Sequence, residues 1–172
     1  PGLIKDAWMG RGLGNQFLSV IGQADALIHV VDASGSIDAE GKITQPGSGN
    51  PVQDAIDVEL EIERWIAEII VHNEEFIIRE ASSSSLAEAI TKSLSGIKAN
   101  QLQVSQALEK SELRDLSFTK WDLNQIIKFA SLLLPLIKPT LIIANKMDIL
   151  TSEKYIEMLT DYYGRSLVAA CS

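Results

Sequence analysis

The chain has 172 residues, enough for one domain with a hydrophobic core. Hydrophobic residues make up 46% and charged residues 22%, which excludes a disordered chain. The net charge of −8 argues against a freestanding binder of nucleic acid or of anionic membranes, since both need a basic face.

Residues 1–15 are rich in glycine (Gly2, Gly10, Gly12, Gly14) and read as a loop. The segment 15–24 reads as a short helix, with Phe17, Leu18 and Ile21 on one face. Residues 26–31 form an apolar run ending at Asp32, the pattern of a parallel strand buried on both faces. Glycines and Pro46 mark 33–50 as loop. Asn50-Pro51 then starts a helix, with Asn as cap and Pro at the first helical position. Val58, Ile62, Trp65, Ile66 and Ile69 carry it to about His72. Its acids Glu59, Glu61 and Glu63 read as a solvated face, as do Glu74 and Glu75.

The serine run 82–85 reads as a connection, with Ser85 capping a helix over 86–94. Further helices are expected over 104–108 and 122–134. In the latter, Leu123, Ile126, Ile127, Ala130 and Leu134 share a face, Thr119 is a candidate cap, and Pro135 is expected to bend or end the helix. Residues 140–144 read as a second buried strand, 152–163 as a helix stopped by Gly164, and 166–170 as a third strand. This alternation predicts an α/β fold with a parallel, helix-covered sheet. The most apolar run, 132–144, is broken by Pro135, Lys138 and Pro139, so no membrane partner is expected. A single cysteine, Cys171, suits a reducing compartment, and a cytoplasmic location is expected.

The motif that carries chemistry is Asn145-Lys146-Met147-Asp148, N-K-x-D at the end of a strand. Ligands of open α/β sheets bind at the carboxyl ends of strands. A carboxylate at Asp148 can accept from both the ring N–H and the exocyclic amine of guanine. Adenine lacks that pair of donors, and the mismatch costs about 2 kcal/mol or more. Lys146 can lay its aliphatic stem over a purine, and the Asn145 amide can tie the loop to its neighbours. The plainer reading is a polar strand-to-helix turn. Other single residues have structural readings: His29 as a buried strand residue, Trp65 and Trp121 as core anchors, Cys171 as packing. His72-x-x-Glu75 offers two metal ligands without a third, so no metal site is expected.

Several stretches resemble the Obg-like GTPases, specifically the YchF-related branch. They are Gly10-Arg-Gly-Leu-Gly-Asn-Gln-Phe-Leu18, Ala26-Leu-Ile-His-Val-Val-Asp-Ala33, Leu94-Ser-Gly-Ile-Lys-Ala-Asn100 and Lys138-Pro-Thr-Leu-Ile-Ile-Ala-Asn-Lys-Met-Asp148. The last two are similar to archaeal members. The resemblance implies GTP as ligand, with Mg²⁺ ligands expected outside these residues. It implies part of a Ras-like P-loop GTPase fold: three parallel strands with helices and a helical insertion. Its divisions are a G-domain part over 1–72, the insertion over 73–120 and a second G-domain part over 121–172. Gly2 would end a D-x-P-G element and offer its amide to the γ-phosphate. Leu3 would stand where the catalytic Gln usually lies, and a leucine cannot orient water. Ser172 would lie in the element that meets the guanine oxygen.

The 107 residues between Asp32 and Thr140 far exceed a single crossover helix, as an insertion requires. No G-x-x-x-x-G-K-S/T motif occurs in the 172 residues. They are therefore expected to be a fragment that alone neither binds GTP tightly nor hydrolyses it, with the phosphate-loop strand missing from beside 26–31. The intact protein is expected to be a GTP-hydrolysing switch, with ribosome or RNA contacts through other parts. The alternative is a nucleotide-free, degenerate G domain acting as a protein-interaction scaffold.

Overall fold

The computed structural model describes residues 14–38 and 41–170. In chain order they form α1 (Gly14–Gln23), β1 (Leu27–Asp32), α2 (Pro51–His72), α3 (Glu74–Ala81), α4 (Leu86–Ser93), α5 (Gln101–Ser111), α6 (Leu123–Ile137), β2 (Thr140–Asn145), α7 (Ser152–Tyr163) and β3 (Leu167–Ala169). The strands form one sheet in the order β1-β2-β3, all parallel. The register sets Leu27 beside Thr140 and Asp32 beside Asn145, so β1 and β2 end together.

Local chemistry explains most boundaries. Asn50 Oδ1 accepts from the Gln53 amide at the start of α2, and Pro51 takes the first turn. Ser85 Oγ caps α4 through the Glu88 amide. Gly164, at φ +55°, ends α7.

Two apolar cores form. The larger joins Leu18 and Ile21 of α1 with Ile62, Ile66 and Ile70 of α2, Ile77, Ile90, Val104 and Leu108 of α3 to α5, and Phe129 and Leu133 of α6. Trp121 packs at a tilt against Phe118 and Phe129, with centroids 5.0 and 5.5 Å apart. The smaller core lies under the sheet: Val31, Ala33, Ala55, Ile142, Ala144 and Leu159.

Lys138 joins the two regions. Its buried ammonium donates to the carbonyls of Gly22 (2.8 Å), Ala24 (2.5 Å) and Ile97 (3.0 Å). Three N–H donors meet three acceptors, which is how a buried lysine is tolerated.

The structure differs from the sequence reading in several places. The strands are not buried on both faces: Ile28 and Val30 are 68% and 58% exposed, and Leu141 and Val168 are also exposed. Among the described residues, α2 and α7 cover only the other face. Pro135 does not end α6, which runs to Ile137; Lys138 N–H still reaches the Leu134 carbonyl. Asp122, not Thr119, caps α6, in a reciprocal pair with Gln125. Leu123 lies off the apolar face, exposed to solvent.

The acids on α2 are not a solvated face. Glu61 is buried, with Arg64 3.7 Å away, and Glu59 and Glu63 line a cavity of about 470 Å³ with His29 and Tyr163. Burial, then the neighbouring Glu59, pushes the Glu63 carboxyl up to about 7. Burial likewise raises Glu59 and lowers His29. α3 was not expected at all, and α5 is longer than expected because Asn100 and Gln103 cap it reciprocally.

Candidate functional site: the turn after the second strand

The turn sits where the three strand ends converge. β1 and β2 are joined beyond Asp32 and Asn145 by Ala33 N–H donating to the Asn145 carbonyl (3.0 Å). Beyond β3, Ala170 N–H donates to the Ala144 carbonyl (2.8 Å), and the Ala170 carbonyl accepts from Met147 N–H (3.2 Å). The turn is thus bonded to the end of the third strand.

Within it, Asn145 Oδ1 accepts from Lys146 N–H at 2.9 Å. Lys146 lies at φ +62°, a left-handed conformation that costs energy for any residue with a Cβ. Ser152 fastens the far side: its N–H donates to the Ile149 carbonyl (2.8 Å) and its hydroxyl to the Met147 carbonyl (3.0 Å). Met147 and Asp148 are exposed, so the Asp148 carboxylate faces solvent from a braced backbone.

The Lys146 side chain turns toward β1. Its ammonium donates to Asp32 Oδ2 (3.0 Å) and Ser36 Oγ (3.2 Å). Asp32 also accepts from Ser36 Oγ (2.5 Å), Ser34 Oγ (2.6 Å) and Ser34 N–H (3.1 Å). Partial burial works against its charge, but these hydrogen bonds outweigh it and hold the carboxyl below its usual range. Asp32, Ser34 and Ser36 were missed in the sequence. The signal was their spacing of two residues directly after an apolar strand.

Asn145, Lys146 and Asp148 therefore share one turn at the carboxyl ends of a parallel sheet, the usual ligand position in such folds. Gly2, Leu3 and Ser172 lie outside the described residues, as does Cys171. The cavity with Glu59 and Glu63 opens at the other end of the strands, by Leu27 and Thr140, so it is not part of this site. Among the described residues no group of three or more His, Cys, Asp or Glu side chains could hold a metal ion. Their helices include none long and apolar enough to cross a membrane.

Comparison with known proteins finds relatives over most of the chain. The chain is 38% identical over 159 residues to a GTP-binding protein of Methanocaldococcus jannaschii, covering 92% of this chain and 39% of the relative. It is 32% identical over 127 residues to the GTPase Obg of Fervidobacterium nodosum, covering 72% of this chain and 26% of that protein. The crystal structure of a GTP-binding protein from Pyrococcus horikoshii superposes with a TM-score of 0.77 at 34% identity, over 91% of this chain and 45% of that one. The chain's relatives are thus GTP-binding proteins of the Obg-like kind. No family profile matches it. The chain spans about two fifths of the M. jannaschii relative.

Proposed function

We propose that these residues form the guanine-reading part of a longer switch protein of the YchF-related branch, one that binds and hydrolyses GTP. The observation that carries this is the braced turn Asn145–Asp148, with Asp148 exposed and Lys146 held beside it. The Asp148 carboxylate accepts two hydrogen bonds from guanine, and the Lys146 stem covers the ring. Relatives named as GTP-binding proteins support the reading.

In this reading the phosphate-binding loop and the Mg²⁺ ligands come from outside the 172 residues. Gly2 contacts the γ-phosphate and Ser172 meets the guanine oxygen. Leu3 occupies the usual glutamine position and cannot orient the attacking water, so hydrolysis depends on another group, such as a bound K⁺ or a partner. The helices within 73–120 serve partner recognition, in a cytoplasmic protein that contacts the ribosome or RNA through other parts.

Calorimetric titration of the full-length protein tests this. GDP is expected to bind at least about 100-fold more tightly than ADP. Equal affinities, or a preference for ADP, would overturn the guanine assignment. No binding of either would favour the scaffold alternative.

A further inference from the structure

The N-K-x-D turn does not hold its lysine alone. Lys146 Nζ reaches the carboxylate of Asp32 at the end of β1 and the hydroxyl of Ser36 on the loop that follows, 114 and 110 residues away in sequence. That loop is itself built rigidly. Thr44 N–H donates to the Ser36 carbonyl (2.8 Å), Gly47 N–H to that of Ser34 (2.8 Å) and Gly49 N–H to that of Gly35 (2.8 Å). A Cβ on Gly49 would stand 1.9 Å from the Ile37 carbonyl oxygen, so only glycine allows this closure.

Two side chains at the start of α7 bind the loop from the other side. Thr151 Oγ1 donates to the Ser34 carbonyl (2.9 Å), and the Tyr155 hydroxyl to the Gly49 carbonyl (2.9 Å). The β1 loop is thus fixed to the helix after the turn, and from there it grips the turn's lysine.

A part-exposed ion pair contributes little to stability, so this arrangement matters chiefly for orientation. A free lysine loses rotamer freedom when it settles on a base, and one already held has less to lose. We propose that Asp32 and Ser36 are positioning residues for purine binding, holding the Lys146 ammonium so that its stem lies ready over the base. This rests on the guanine reading of the turn. Because the stem covers a ring face, the clamp serves any purine at this site, whereas Asp148 discriminates by edge.

The test is a titration of full-length protein with GDP and IDP. Asp32→Asn is expected to weaken both by the same factor, about tenfold, leaving the GDP-to-IDP ratio unchanged. In a Lys146→Met background, Asp32→Asn is expected to have no further effect, because the clamp has nothing left to hold. Ser36→Ala carries the same pattern at about threefold, should Asp32→Asn fold poorly.

Unchanged affinity in both variants, a changed GDP-to-IDP ratio, or an undiminished effect in the Lys146→Met background would each overturn the clamp. Asp148→Asn separates the two ideas. If it leaves GDP affinity intact, the guanine reading fails and the clamp with it. If it abolishes the preference for guanine while Asp32→Asn changes nothing, the clamp alone fails.

Discussion

The helical region and the end of the sheet are held by different forces. In the first, apolar side chains from α1 to α6 share one continuous core, with Phe129, Leu133, Ile66 and Ile90 fully buried. In the second the core is small; the turn is held by hydrogen bonds to Asn145 Oδ1 and from Ser152, and its lysine by Asp32 and Ser36, which accept from the ammonium. Apolar packing supplies most of a domain's stability but is non-directional; hydrogen bonds add little net energy yet fix geometry. Scaffold and candidate site are held by different forces, and substitutions in each region are expected to fail in different ways.

The largest expected effect is in the helical core. Phe129→Ala removes a fully buried ring packed against Trp121 and is expected to cost about 4 kcal/mol in denaturant unfolding. Nucleotide affinity per folded molecule is expected to stay the same; a matching loss of affinity would break the distinction between the regions. Next comes Lys138→Met, which strips the donor from three carbonyls where the regions meet. A loss of about 3 kcal/mol is expected. A loss too small to measure would show that the regions do not depend on this joint.

Asp122→Ala breaks the reciprocal cap of α6 and is expected to cost about 1.5 kcal/mol, read by thermal melting. The smallest effect is at Glu63. Its folded carboxyl titrates near 7 against an ordinary 4.5, so the folded state holds the proton more tightly. Stability therefore falls as pH rises from about 4.5 to 7, then levels off. Glu63→Gln is expected to match wild type near pH 4.5 and to exceed it above pH 7, by on the order of 1 kcal/mol. Melting curves across that range check the sign, and no gain at pH 8 would refute it.

Much of the fold was legible because its punctuation is local. Asn50-Pro51, Ser85 and Gly164 act on their own neighbours, and all three do what their residue types dictate. What escaped depends on context. α3 follows α2 with no proline or glycine between; the break is made by Asn73, whose side chain bonds back to the Ile69 carbonyl. Pro135 lacks the N–H that would bond the Ser131 carbonyl, yet α6 continues past it to Ile137 and Lys138 N–H still closes on the Leu134 carbonyl. Glu61 and Glu63 look like surface acids until the sheet and helices close around α2.

The site divides in the same way. Asn145, Lys146 and Asp148 are contiguous and carry their chemistry in their spacing. Asp32 and Ser36 are more than a hundred residues away, and only the parallel pairing of β1 with β2 brings them to Lys146.

The central claim, that the turn after β2 reads guanine through Asp148, is tested most directly by comparing GDP and XDP on full-length wild-type protein and Asp148→Asn. An amide there no longer accepts both donors of guanine but can donate to the 2-carbonyl of xanthine. The account predicts at least about a 100-fold loss of GDP affinity with a matching gain for XDP; GDP affinity unchanged by the substitution would contradict it.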